Sequence, residues 1–239
     1  MPLPKISTPT YELELPSTGK TIKYRPFLVR EEKLLVLAME SEDPKQITNA
    51  IKSVIKNCIE TRGIKVESLP TFDIEYLFLN IRGKSVGEEV DINIICPDDG
   101  VTSVPIKILL DDINVIKNPE HNKKIKLDDS LMMEMKYPSL DQFIKSNFDF
   151  NDDNAMSQSF DLIASCIDKI YNEEEVWDTG DVTKKELEDF LEQMNSSQFK
   201  QIEKFFETMP KLSHTVNVKN PNTGVNNEIV LEGLSSFFA

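Results

Sequence analysis

Tyr11, Leu13 and Leu15 alternate with Glu12 and Glu14, and Ile22 and Tyr24 alternate with Thr21, Lys23 and Arg25. A period of two marks strands with one buried face, and Pro16-Ser17-Thr18-Gly19 supplies a turn between them. The chain is therefore expected to open with a β-hairpin whose glutamates face Lys23 and Arg25. The period then lengthens. A helix is expected from Arg30 to about Met39. A second starts at Asp43, a good N-cap, with Pro44 at the first helical position. Ile47, Ile51, Val54, Ile55, Cys58 and Ile59 form its apolar stripe. A third helix is expected between Phe72 and Ile81, ended by Gly83.

β-prone segments return from about Val90 to Leu110. Asn114 to Asp129 is polar and reads as an exposed connection. Leu131 to Tyr137 suits a strand ended by Pro138, and Ser139-x-x-Gln142 has capping-box spacing for a short helix with Leu140, Phe143 and Ile144. Phe148 to Asn154 is acidic and turn-like, a candidate boundary. Met156, Phe160, Ile163, Ile167 and Ile170 recur at spacings of three and four, which predicts one helix. Trp177 to Asp181 reads as a loop. Thr183-x-x-Glu186 and Asn195-x-x-Gln198 then open two more helices, the second burying Phe199, Ile202, Phe205, Phe206 and Met209 and stopping at Pro210.

Two short segments match each other position by position. Cys96-Pro97-Asp98-Asp99-Gly100-Val101 aligns with Asn220-Pro221-Asn222-Thr223-Gly224-Val225, so that both read x-Pro-x-x-Gly. Each joins β-prone residues: Ile92 and Ile94 to Ile106 and Ile108, Val216 and Val218 to Ile229 and Leu231. A zinc knuckle would carry Cys-Pro-x-Cys-Gly at such a turn. A tetrahedral zinc site needs four soft or borderline ligands, and one cysteine remains here. The expected fold is α+β, with an N-terminal β-hairpin, two helical groups and two zinc-knuckle-like β-hairpins without metal. Its expected parts are 1–113, a polar connection at 114–152, and a helical part with the second knuckle and an apolar tail at 153–239. If the knuckles pair as halves of a ribbon, the chain folds as one cooperative unit.

Charge narrows the function. A formal net charge of −14 opposes binding to phosphate backbones or anionic lipid. No apolar run approaches the roughly 18 residues that span a membrane, and Met1 to Ser7 lacks the apolar core of a signal peptide. A reducing cytoplasm is the expected setting. Cys58 and Cys166 fall at apolar helical positions and no C-x-x-C pair exists, so neither a disulfide framework nor a redox role is expected.

The sharpest chemical candidate is a metal at Cys96, Asp98, Asp99, His121 and His214. Nothing in their spacing requires it, and a metal-free hairpin is the plainer reading. The pairs Asp98-Asp99, Asp111-Asp112, Asp128-Asp129 and Asp152-Asp153 read as solvated loop charge. Asp149 to Asn154 lacks the glycine and closing glutamate of an EF-hand. No G-x-S-x-G elbow, P-loop or dinucleotide fingerprint is present. No enzyme and no cofactor are expected. Leu234, Phe237 and Phe238 form an apolar tail that either folds back as a lid on the protein's own core or contacts a partner. The rarity of exposed apolar patches favours folding back.

The stretch Tyr11 to Met39, above all Tyr24-Arg25-Pro26-Phe27-Leu28-Val29-Arg30-Glu31-Glu32-Lys33-Leu34-Leu35, resembles the start of a T4-type myophage family of baseplate hub subunits and hub assembly proteins. The ending is similar too, from Phe205 through His214 to Leu231-Glu232-Gly233-Leu234 and Phe237-Phe238. The resemblance implies a role in building the hub of a contractile-tail baseplate, through contacts with other phage hub or tail proteins. It implies either a retained subunit or an assembly chaperone absent from the virion, and a homo-oligomer within the assembly is compatible with both. Location would be host cytoplasm during assembly, with the virion baseplate for a retained part. No metal site carries over, because Asn220 and Thr223 stand where knuckle cysteines would. A degenerate zinc-ribbon regulator that binds nucleic acid is a third alternative, opposed by the acidic composition.

Overall fold

Strands β1 (Tyr11–Glu14) and β2 (Thr21–Tyr24) pair antiparallel in the computed structural model, which describes residues 6–142 and 155–237. The register sets Tyr11 opposite Tyr24, Glu12 opposite Lys23 and Leu13 opposite Ile22, so Leu13, Ile22 and Tyr24 share the buried face. Glu12 meets Lys23 at 3.1 Å. Glu14 faces Thr21 instead of Arg25, because the register carries Arg25 past the Tyr11 end of the pair, where it turns inward to Glu31.

The chain forms two compact units that are interleaved in sequence. One comprises Met1–Val66, Phe72–Ile116 and Lys211–Ala239; the other comprises Glu67–Thr71 and Lys117–Pro210.

In the first unit, helices α1 (Val29–Glu40) and α2 (Pro44–Cys58) follow the hairpin. Asp43 caps α2 by accepting from the Lys45 N–H at 2.9 Å. Val54, Ile55 and Cys58 are fully buried. The family-like stretch has a physical explanation in Glu31. This buried carboxylate accepts from the Leu28 N–H at 2.8 Å, Arg30 Nε at 2.7 Å and Arg25 at 3.1 Å. Arg25 also donates to the carbonyls of Pro26 and Asn57. One arginine thus joins the end of β2, the start of α1 and the last turn of α2, where C-terminal carbonyls need donors.

Helix α3 (Thr71–Val86) runs past Gly83. That glycine serves packing: a Cβ there would lie 3.2 Å from Leu110 Cδ1. The left-handed residue that follows the helix is Gly87, at φ 140°. Buried Asp73 accepts from the Ser17 N–H at 3.0 Å and from the Ser17 hydroxyl, which ties the first hairpin turn to α3.

Strands β3 (Glu89–Ile95) and β4 (Ser103–Leu109) form the first knuckle hairpin, and β10 (Lys211–Lys219) and β11 (Asn226–Glu232) the second. The expected exposed connection begins with a strand instead. β5 (Asn114–Ile116) pairs with Lys211–Ser213 and makes a three-stranded sheet in the order β11-β10-β5. Only the pairing with a distant strand reveals so short an element. Val90, Ile92, Ile94, Ile108, Leu212, Val216 and Val218 pack in one core with Leu110 and Phe237.

The second unit holds the four-stranded sheet β6-β7-β8-β9, with β6 at Lys124–Lys126, β7 at Met132–Met135, β8 at Ile167–Tyr171 and β9 at Val176–Asp178. Helices α4 (Ala155–Cys166), α5 (Lys184–Glu192) and α6 (Ser196–Thr208) accompany it. Both expected capping boxes form. Thr183 and Glu186 exchange hydrogen bonds, as do Asn195 and Gln198.

The single helix expected through Ile170 stops at Cys166. Ile167 and Ile170 lie on β8 opposite Met135 and Met133, and all four are buried. Asp168 is the extra residue of a β-bulge, since Met135 pairs with Ile167 and Glu134 with Lys169. The bulge lets side chains three apart face the same core, which imitates helical spacing. Trp177 and Asp178 lie on β9 and not in a loop. Ser139 and Gln142 exchange the expected capping bonds, while Phe143, Ile144 and the acidic stretch through Asn154 lie outside the described residues.

Candidate functional site at the paired knuckles

The two knuckle turns share a backbone. Gly100 N–H donates to the Cys96 carbonyl and Gly224 N–H to the Asn220 carbonyl, both at 2.9 Å. Both glycines take positive φ, 70° and 77°, which a side chain would resist. The closing bonds differ by one position: Cys96 N–H reaches the Thr102 carbonyl and Asn220 N–H the Val225 carbonyl, each at 2.8 Å. Pro97 and Pro221 occupy the exposed corners of the turns.

The turns meet through side chains. Fully buried Asn220 donates from Nδ2 to Asp98 at 3.0 Å and to Asp99 at 2.9 Å. Its Oδ1 accepts from the N–H groups of Asn222 at 2.8 Å and Thr223 at 3.3 Å. The opposite amide orientation would set oxygen against two carboxylates, so the network fixes which end is nitrogen. Asp98 also accepts from Asn227 Nδ2 at 2.9 Å and from the Thr223 hydroxyl. Asp99 accepts from the N–H groups of Val101 and Thr102 and from the Thr102 hydroxyl. Asn222 completes the ring by donating to Thr102 Oγ1 at 2.9 Å.

These donors hold both carboxyls below their ordinary range. For Asp98 the Asn220 amide is the main cause, followed by the Thr223 hydroxyl. For Asp99 it is the Thr102 hydroxyl and N–H, followed by Asn220. The Cys96 thiol is fully buried and moves the other way, raised by burial and then by the nearby charges of Asp98 and Asp99. A zinc ligand must be a thiolate, a neutral imidazole or a carboxylate with a free lone pair. Cys96 is the one thiol among them, Asn220 presents N–H groups, and the carboxylates are engaged by donors. The four knuckle positions therefore do not fit the metal. Among the described residues no group of three or more His, Cys, Asp and Glu side chains is arranged to hold one.

The remaining metal candidates are engaged elsewhere. His214 Nδ1 lies 3.2 Å from the Asp112 carbonyl on the first unit. In the second unit His121 stacks on Tyr137 and lies tilted against Phe205, with Nδ1 3.0 Å from Thr208 Oγ1. The apolar tail is partly internal. Phe237 is fully buried in the knuckle core and exposes no surface to a partner, and Leu234 packs beside it. Phe238 lies outside the described residues. Asp98 and Asp99, read from the sequence as solvated charge, accept across the knuckle pair. Thr102, Asn222 and Asn227 join them without any signal in the sequence beyond the matching of donor residues on one turn to acidic residues on the other.

No helix among the described residues is long and apolar enough to cross a membrane. The arrangement fastens two hairpins. Comparison with known proteins returned no matching curated protein and no matching solved structure. A family described as T4 bacteriophage base plate protein matches residues 8–239. That span takes in both knuckle hairpins, the Arg25–Glu31 knot and both compact units, and the chain belongs to this family of phage base plate proteins.

Proposed function

We propose that this structural base plate protein serves in the central hub of a contractile-tail baseplate and acts through protein–protein contacts in tail assembly, without catalysis. The extent of the family match, residues 8–239, carries the reading, because it takes in both compact units. The hub in particular rests on the resemblance of Tyr24 to Leu35 and of Phe205 to Phe238 to hub subunits and hub assembly proteins. Its partners are other hub or tail proteins met in the host cytoplasm. A net charge of −14 favours encounter with basic surfaces, so association is expected to weaken as salt rises.

Quantitative mass spectrometry of purified virions against infected-cell lysate tests the role. Recovery in proportion to other baseplate proteins supports a retained hub subunit. Abundance in the lysate with loss from particles makes it an assembly chaperone. Absence from virions and from tail intermediates alike overturns the hub assignment.

A further inference from the structure

Helix α1 turns an apolar face outward. Its buried residues are Glu31 and Ala38, whereas Val29, Val36, Leu37 and Met39 are 68%, 49%, 65% and 58% exposed. Leu34 and Leu37 continue this face into an open groove whose far wall is Gln46, Asn49 and Ser53 of α2. Apolar surface concentrated on one helix marks an interaction site.

The charges on this face indicate its occupant. Lys33, Val36, Leu37 and Glu40 stand at i, i+3, i+4 and i+7, and so share one side of the helix. Both charged residues are exposed, and neither has an ion-pair partner among the described residues. Their signs do not serve α1 itself. Glu40 lies in the last turn, where the helix dipole favours cations, and that turn holds no basic residue. Four residues from Lys33 and Glu40 stand Leu37 and Val36, so neither has an i,i+4 partner of opposite charge. The order cation, apolar, apolar, anion is complementary to its own reverse. In an antiparallel pair of α1 helices related by a two-fold axis, Lys33 faces Glu40 of the other copy and Val36 faces Leu37.

We propose that the outer face of α1 is a self-association surface whose occupant is a second copy of this chain, docked antiparallel about a two-fold axis. The inference goes beyond the hub assignment and does not depend on it. A contact centred on one helix is small for a specific interface, so the dimer is weak, with a Kd on the order of micromolar or higher. Two cross-pairs at the rim make it sensitive to salt.

Sedimentation equilibrium of the full chain over a wide concentration range tests this. The wild type is expected to shift from monomer to dimer as concentration rises. Lys33→Glu and Glu40→Lys each set like charges together twice per dimer, and each should raise the apparent Kd by about tenfold or more. The double variant Lys33→Glu/Glu40→Lys restores opposite charges and should recover most of the affinity. Leu37→Glu should abolish the dimer. All three substituted positions are exposed, and circular dichroism confirms that each variant keeps its fold. A wild type that stays monomeric throughout overturns the proposal and leaves the face to a different protein. A dimer indifferent to Leu37→Glu, or single charge reversals that the double variant does not rescue, overturns it equally.

Discussion

Asn220 is the residue on which the knuckle pair turns, because it is fully buried and its amide faces two carboxylates. Asn220→Ala removes those donors along with the acceptor for Asn222 and Thr223. The groups left behind reach solvent, so the loss is that of the bonds alone, on the order of 1 kcal/mol, and a urea titration should show a lowered midpoint; an unchanged midpoint would mean that water replaces the amide without penalty. Glu75 tests a second site. Burial pushes its carboxyl up to about 7, opposed by the Leu234 N–H that it accepts at 3.0 Å. An unfolded glutamate titrates near 4.3, so between about 4.3 and 7 the native state binds the extra proton. Stability from this group is fully present below that window and declines as pH rises through it. Glu75→Gln keeps the acceptor and removes the titration. It should be more stable than the wild type at pH 8 by about 1–3 kcal/mol and nearly equal to it near pH 4. A difference independent of pH would refute the assignment. Glu31 has the opposite sense. Burial raises its carboxyl, but the bonds from Arg30, Leu28 N–H and Arg25 outweigh that and lower it overall, so its contribution is lost on acidification.

At the scale of elements, the β8 bulge decides the core of the second unit. Asp168 is held out of the ladder, with its carbonyl accepting from the Thr179 N–H at 3.2 Å and hydroxyl at 2.9 Å. Deleting Asp168 restores a regular ladder in which Ile167, Lys169 and Ile170 face Met135, Glu134 and Met133 in turn, so both isoleucines keep the buried face. What the deletion loses is the pair of Thr179 bonds to the Asp168 carbonyl, about 0.5–1.5 kcal/mol each. The deletion variant should therefore stay folded, with amide protection in β7 and β8 kept and the thermal midpoint lowered only modestly. Loss of that protection would mean that the bulge itself holds the sheet in register. Elements with local signals were legible: the first hairpin, α2 from its Asp43–Pro44 start, and α5 and α6 from their capping boxes. β5 and the α4–β8 boundary were not. Three residues carry too little periodicity to announce a strand, and a bulge gives strand residues the spacing of a helix.

Across the whole molecule, the chain passes between its two units at 66/67, 71/72, 116/117 and 210/211. The segment from Lys211 onward contributes β10, the centre of the three-stranded sheet in the first unit. That unit therefore depends on residues from both ends of the chain, and we expect calorimetry to show one cooperative transition with equal calorimetric and van't Hoff enthalpies. Two separable transitions would mean that the second unit folds on its own. Truncation before Lys211 should destabilise the whole first unit, since β5 and the knuckle core lose their partners together.

The candidate site divides the same way. The sequence by itself determined the matching x-Pro-x-x-Gly turns, the α+β pattern, the helix starts and the loss of knuckle cysteines, because each follows from neighbours within a few residues. Only the tertiary structure decided that the two turns face each other. Their separation of more than a hundred residues is closed by Ile92, Ile94, Val216 and Val218 packing in one core, and that packing brings the Asn220 amide to Asp98 and Asp99. A carboxylate in a turn looks the same in sequence whether water or an amide satisfies it; the difference lies in what the distant strands bring beside it.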